Sequence, residues 1–364
     1  MSWRLTKTRT LPIGIDLGTA SIKLVQLRRL PDELELVAAA SLALDEDAPP
    51  AGRRRPDALA GPLRDVLKTA GFKTRECVLS LPAAATVVRH VKTARLPPDE
   101  LARLVRRGLG DKLPFAGEEA VVRHLVAGEV HGEKGAGLEV IVVAASRGVV
   151  EAHLSLARRC RLDVVALNVE PCAILECFAR LFRRADDRDR VTLFLDFGRA
   201  CTQVVIAHGQ RLAFARNVML GARQMEQGAS ERLGLPLEQV RAARRPDEGG
   251  EGPDLAAEQV YDGMGEALDA LVGEITKCLR YYESVFPTRS IERAIFLGGE
   301  ALDRRLCQRV ARRLNLPAQI GDPLARVSRP RASGGPGPLD GRQMQPAWAV
   351  AVGLSLGAEL SQAA

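Results

Sequence analysis

One short pattern occurs twice in this chain, and that repetition constrains the fold more than any other feature. GIDLGTASIKLVQL runs from Gly14 to Leu27, and LDFGRACTQVVIA from Leu195 to Ala207. Asp16 aligns with Asp196, Gly18 with Gly198 and Ala20 with Ala200, without a gap. Each copy reads as an apolar strand, an Asp-x-Gly turn of little side-chain bulk, and a second apolar strand, hence a β-hairpin. Such a turn lets backbone N–H groups approach a phosphate, and the Asp beside it can hold a hydrated cation. A lone Asp-x-Gly is common in ordinary hairpins. Two at matched positions point to two related domains facing one nucleotide across a cleft.

The chain of 364 residues is long enough for two cores. Aromatic residues make up only 4%, too few for base-stacking platforms, so no nucleic-acid partner is expected. The net charge of +7 is scattered and carried mainly by Arg. Its plain reading is a solvated surface; its sharper one is attraction to an anionic membrane face or an acidic partner. No apolar run reaches the length of a membrane helix, and MSWRLTKTRT lacks the apolar core of a signal peptide, which together imply a cytoplasmic protein. The seven cysteines lie mostly in apolar segments and read as reduced core residues. The five histidines show no ligand spacing, so a zinc site is not expected.

Between the hairpins, residues 57–70 read as a helix stopped by Gly71, and 77–81 as a buried strand ended by Pro82. Residues 86–148 have their own rhythm of strand, helix, strand, strand, with Asp99 as the expected helix cap. They form a β-α-β-β insertion within the first half, and its strands carry Arg89 and Arg123. A strand at 162–167 and a helix from Pro171 follow, and the cluster RRADDRDR (183–190) marks the crossing to the second half. After the second hairpin come helices beyond Gly221 and over 236–245, and a long helix over 255–286 with Val260, Met264, Leu268, Leu271, Ile275, Leu279 and Tyr282 as its apolar stripe. AIFLGGE (294–300) leads a strand into the Gly298-Gly299 turn, and PAWAVAVGLSLGAEL (346–360) is a closing helix of small residues.

Asp16-x-Gly18, Asp196-x-Gly198 and Gly298-Gly299 therefore stand in order. That order resembles the actin superfamily of ATP-binding proteins. Within it, the chain is most similar to the type IV pilus assembly protein PilM family, over roughly residues 10–360. The resemblance rests on the opening hairpin, on LPPDELARLVRRGLGDKLPFAGEEAVVRHLVAG in the insertion, on NVEPCAI (168–174), on LFLDFGRACTQVVIAHGQRLAFARNVMLGARQM, and on the terminal AVAVGLSLG. It implies an α/β, actin-like (ribonuclease H-like) fold of two domains, 10–190 and 191–360, with the small α+β subdomain 86–148 inserted in the first. It also implies ATP and Mg²⁺ as ligands. The implied partner is the N-terminal tail of a bitopic, PilN-type inner-membrane protein, held between the insertion and the rest of the first domain. Indirect contact with pilus motor ATPases, possible self-association and a place on the inner face of the cytoplasmic membrane follow from the same resemblance.

The resemblance gives Asp16 and Asp196 the metal-bound water, with Asp196 and Glu170 as the catalytic candidates. Gly18, Thr19, Ala20, Ser21 and Gly198 are assigned to the phosphates, and Gly221, Gly298 and Gly299 to the rest of the nucleotide. Plainer roles stand beside these. Glu170 caps the helix at Pro171 as readily as it positions a water. Gly298-Gly299 also suits a turn needing positive φ, and Lys23 is as well read as a solvated strand residue. EQVRAARR (238–245) places Arg241 and Arg244 where the family carries a Glu and a Lys near ribose and base. Arg199 and Cys201 replace small hydroxylated residues, Ala222 replaces a second glycine after Gly221, and no Pro-Gly follows Glu300-Ala301. These departures imply weak nucleotide binding and little turnover. The rival functions are a sugar-kinase-like phosphotransferase and an FtsA-like division filament protein.

Overall fold

The computed structural model describes residues 8–45, 56–109, 113–132, 135–182, 190–244, 254–329, 339 and 343–357. The charged crossing, the 246–254 loop, most of the 328–344 loop and both extreme termini therefore lie outside the described residues, wholly or nearly so.

The repeated pattern folds as two hairpins. β1 (Arg9–Leu17) pairs antiparallel with β2 (Ser21–Arg29), and β9 (Val191–Phe197) with β10 (Thr202–His208). The repetition extends to whole sheets. In the first, β3 (Leu34–Ala43), β2 and β1 are antiparallel, and β4 (Glu76–Leu81) and β8 (Asp163–Val169) then join in parallel. The short β14 (Val327–Ser328) adds to the β3 edge. In the second, β11 (Arg211–Val218), β10 and β9 are antiparallel, followed in parallel by β12 (Arg293–Leu297) and β13 (Ala318–Ile320). Strand burial is nearly continuous in β1, β9 and β10, as expected for strands covered on both faces.

A separate three-stranded sheet of order β5-β7-β6 is formed by β5 (Thr86–Ala94), β6 (Ala120–Gly132) and β7 (Gly135–Ser146). Helix α2 (Pro98–Gly108) lays Leu101 and Val105 on Leu138, Val140 and Val142 to make its small core. Asp99 does not cap α2. Pro97 occupies the N-cap position and Pro98 the first turn, where a missing N–H is harmless, while Asp99 and Glu100 sit in the first turn near its positive end.

The helix expected over 255–286 is two helices, α7 (Asp254–Gly263) and α8 (Gly265–Val285). Gly263 and Gly265 flank the break at Met264, and Gly263 lies close against Ala229 and Leu233. The apolar stripe runs on across the break, with Val260, Met264, Leu268, Leu271 and Ile275 all buried. Helix α4 (Glu170–Ala179) follows β8 directly, and α10 (Ala349–Leu356) packs against α4, β1 and β2. Its small residues permit this: a Cβ on Gly353 would stand 1.8 Å from the Ala173 carbonyl oxygen. Ser355 Oγ donates to Pro12 O (2.8 Å) and accepts from Leu27 N–H (3.2 Å), bridging the irregular pairing of β1 with β2.

Candidate functional site

The two hairpin turns face each other across a cleft of about 270 Å³. Asp16, Gly18, Thr19, Ala20, Ser21, Glu170, Asp196, Gly198, Gly298 and Gly299 all line it. Of the site residues read from the sequence, only Gly221 does not. A Cβ there would stand 2.6 Å from Gly198 O and 2.7 Å from Arg199 O. At the same junction Ala222 N–H donates to Gly198 O (3.2 Å) and Arg223 N–H to Arg199 O (2.9 Å). Gly221 thus lets helix α5 (Ala222–Leu233) grip the second turn from behind.

Strand register explains how the side chains converge. Asp16 is the cross-strand partner of Lys23, and Asp196 that of Gln203, so each hairpin presents an aspartate and its partner on one face. Lys23 and Gln203 occupy equivalent places in the repeat and both line the cleft. Lys23 thus faces the cleft instead of solvent, and Gln203 is a cleft residue that the motif alone does not single out. Gln203 Nε2 donates to the Glu170 carboxylate, and its Oε1 is buried without a hydrogen-bond partner. The Ala83 backbone N–H supports the same carboxylate. Glu170 opens α4 but its side chain turns into the cleft, with Val169 in the N-cap position.

The cleft is crowded with acid. Burial raises Asp16, while Lys23 and the Ser80 hydroxyl, 3.5 Å away, pull it back. Burial, and then the Asp16 charge, push Asp196 up to about 7 against the pull of Lys23. Burial together with Asp16 and Asp196 holds Glu170 well above the usual carboxylate range. Asp16 and Glu170 are buried and Asp196 half-buried; Asp16 raises Asp196, both raise Glu170, and Lys23 opposes all three while Arg199 is paired with Glu226, which describes a site short of positive charge. A divalent cation fits that deficit. No group of three carboxylate, His or Cys ligands closes on one point among the described residues. Asp16 and Asp196 would therefore hold the ion through its water or through ligand oxygens, as Mg²⁺ favours. Gly18 and Gly198 keep each turn tight; a Cβ on either would stand 2.8 Å from the carbonyl oxygen of Ser21 or Cys201. Gly298 has φ +85°, and a Cβ there would stand 2.4 Å from Asp196 Oδ1.

Beyond Arg199 and Glu300, a buried ionic cluster backs the cleft. Glu226 of α5 accepts from Arg199 (2.6 Å), from Arg244 (2.5 Å) and from Arg241 (3.1 Å), the last two on α6 (Leu237–Arg244). Arg244, whose side chain is 0% exposed, also donates to Glu300 (2.7 Å) and Asp303 (3.0 Å). Asp303 caps helix α9 (Arg304–Leu314) through Leu306 N–H and accepts from Tyr261 Oη (2.6 Å). Arg241 and Arg244 are thus both committed to internal partners.

The three-stranded sheet is fastened to the second half by Glu139. This residue is fully buried; its Oε1 accepts from Tyr281 Oη of α8 (2.8 Å) and pairs with His90 Nδ1 (2.9 Å). The His90 ring stacks on Phe214 of β11. Arg89 and Arg123 pair with the successive residues Val142 and Val143 of β7, so they point to opposite faces of the sheet and cannot line one groove together.

Residues 14–359 match the family described as type IV pilus assembly protein PilM. The chain belongs to the PilM family. Its fold is that of the actin-like proteins. A PilM-PilN type IV pilus biogenesis complex is similar at 24% identity, covering 95% of this chain and 98% of that one, with a TM-score of 0.78. The ethanolamine utilization protein EutJ from Carboxydothermus hydrogenoformans is similar at 12% identity over 96% and 89% of the two chains, with a TM-score of 0.55. MreB 5 of Spiroplasma citri bound to AMPPNP is similar at 10% identity over 98% of each chain, with a TM-score of 0.51. No helix among the described residues of this PilM-family chain is long and apolar enough to cross a membrane.

Proposed function

We propose that this type IV pilus assembly factor works by binding. It holds Mg²⁺-ATP between its two hairpins and receives the N-terminal tail of a PilN-type inner-membrane protein, which keeps it at the inner face of that membrane. Contact with the pilus motor ATPases then runs through the assembled complex. The proposed domains are 10–190 and 191–360, with 86–148 inserted in the first; β14 and α10 return from the second range to the first sheet.

The observation that carries the nucleotide reading is the facing pair of Asp-x-Gly hairpins, with their carboxylates short of a cation. A bound Mg²⁺ would supply the missing positive charge. Asp16 and Asp196 orient its water, the turns at Gly18–Ser21 and Gly198–Cys201 offer backbone N–H groups to phosphate, and Lys23 balances the remaining charge.

The peptide reading is supported by two strand edges that pair with no further strand among the described residues. β8 ends the first sheet and β6 ends the three-stranded one, and α3 (Arg147–Arg159) packs against both. Val165 on β8 is 45% exposed, and Leu125 and Val126 on β6 are 40% and 43% exposed. Such edges accept an extended segment by backbone pairing, with apolar side chains setting register. The test is binding of a fluorescent PilN tail peptide to wild type and to Val165→Asp, Leu125→Asp and Val126→Asp. At least one edge should lose tenfold or more in affinity with its urea midpoint unchanged. Full binding by all three variants would place the partner elsewhere.

A further inference from the structure

We infer that the cleft recognises a cation-bound condensed phosphate and is indifferent to the group attached to it. This rests on the nucleotide reading above and narrows it.

The first argument is where recognition chemistry lies. The aspartates, Lys23 and the two tight turns all line the cleft, and each aspartate stands beside its own turn. They provide what a diphosphate or triphosphate with its metal requires, namely backbone donors, a cation and carboxylates for metal-bound water.

The second is size and lining. Pockets that enclose a whole drug-sized ligand run from about 300 to 1,000 Å³ and draw heavily on aromatic side chains. The cleft holds about 270 Å³, and its lining contains no Phe, Tyr, Trp or His among the described residues. Its apolar walls come from short side chains such as Ala83, Ala200, Pro346 and Val350. They offer no flat face to a base.

The third is the ionic cluster. Past Arg199 and Glu300, which line the cleft, its wall is filled by Glu226, Arg244 and Asp303, all buried and joined through Arg244. Three guanidinium groups meet three carboxylates, so the wall carries no surplus charge. Any acceptor it lent to a ribose hydroxyl would be withdrawn from a buried guanidinium, which is costly. The attached group is left to lie at the mouth of the cleft, in water, where neither base nor sugar is read.

Calorimetry in excess Mg²⁺ with ATP, GTP, inorganic tripolyphosphate and adenosine tests this. ATP, GTP and tripolyphosphate should bind within about threefold of one another, and adenosine should not compete. Asp196→Asn should weaken all three by the same factor, about tenfold or more. ATP binding tenfold tighter than GTP or tripolyphosphate, competition by adenosine, or an Asp196→Asn loss confined to the nucleotides would overturn the inference and leave the nucleotide reading standing. Binding of none of them would overturn both.

Discussion

Replacing Glu226 with Gln tests whether the buried ionic cluster holds the second half of the molecule together. The substitution keeps shape and removes one charge from a set of three guanidinium groups and three carboxylates. Arg244 keeps Glu300 and Asp303, at 2.7 and 3.0 Å, so its loss is partial. Arg199 loses the carboxylate it meets at 2.6 Å, and its own side chain is 7% exposed. Removing one partner of a buried pair costs about 3–5 kcal/mol. Retained partners on Arg244 put the expected loss near the lower figure, about 3 kcal/mol, a large share of the 5–15 kcal/mol typical of a folded domain. Arg241 adds little, because its side chain is 29% exposed and screened by water.

Urea unfolding of wild type, Glu226→Gln, Arg199→Met and the double variant measures it. The double variant should be less destabilised than the sum of the singles, since it removes both charges together. The pH dependence is an independent check. Burial raises the Glu226 carboxyl, but Arg244 and Arg199 outweigh it and hold the group below the usual carboxylate range. With the folded pKa depressed, its stabilisation is complete above the unfolded value and disappears as pH falls through the folded one. The gap between wild type and Glu226→Gln should therefore stay flat from pH 7 to 5 and close only in stronger acid. A gap under about 0.5 kcal/mol at pH 7, or one that shrinks before pH 5, would refute the reasoning.

Three further outcomes are expected. Asp196, raised to about 7, favours its neutral form, so ligand-free wild type should lose stability as pH rises from about 4 through 7. Asp196→Asn should show a shallower slope, the remainder coming from Asp16 and Glu170, which are raised as well, and at pH 8 be the more stable protein by up to about 4 kcal/mol, a gap that Mg²⁺ narrows for wild type in thermal melts. Gly298→Ala forces a side chain onto φ +85° and onto Asp196, which should cost about 2–6 kcal/mol in urea unfolding; a loss under 1 kcal/mol would mean the turn relaxes freely. Tyr281→Phe removes one of two hydrogen bonds to buried Glu139 and should cost about 1.5–3 kcal/mol, with faster amide exchange in β7 than in β4 as the local signature.

The two hairpins were legible because every part of them is local: strand, turn and strand lie within fourteen residues, and the match between copies multiplies a weak signal. The small sheet was legible for the same reason, since β5, α2, β6 and β7 are consecutive. Lys23 and Gln203 are also written into the repeat, at the same offset from Asp16 and Asp196, but their meaning depends on cross-strand register. The ionic cluster was not legible. Glu226 and Arg244 come from separate helices and Glu300 with Asp303 from a third segment, and each alone reads as a surface charge; only packing of α5, α6 and the start of α9 makes them one buried group. The break at Met264 was hidden by a stripe that stays in phase across it, although the glycines on either side were visible.

The cleft and the three-stranded sheet share a physical part. β4 of the first sheet ends at Leu81, β5 of the small sheet begins at Thr86, and the single turn between them, Ala83–Ala85, contributes Ala83 and Ala84 to the cleft wall. Ala83 supports the Glu170 carboxylate with its N–H and accepts from Asn217 Nδ2 with its carbonyl, at 3.1 Å. Asn217 Nδ2 also reaches Thr86 Oγ1 at 3.2 Å, and it lies on β11, whose Phe214 stacks on His90. The turn therefore joins the start of β5 to a backbone group that touches an acid of the cleft. One turn, tied to β11 through Asn217, is common to the cleft wall and the start of the small sheet.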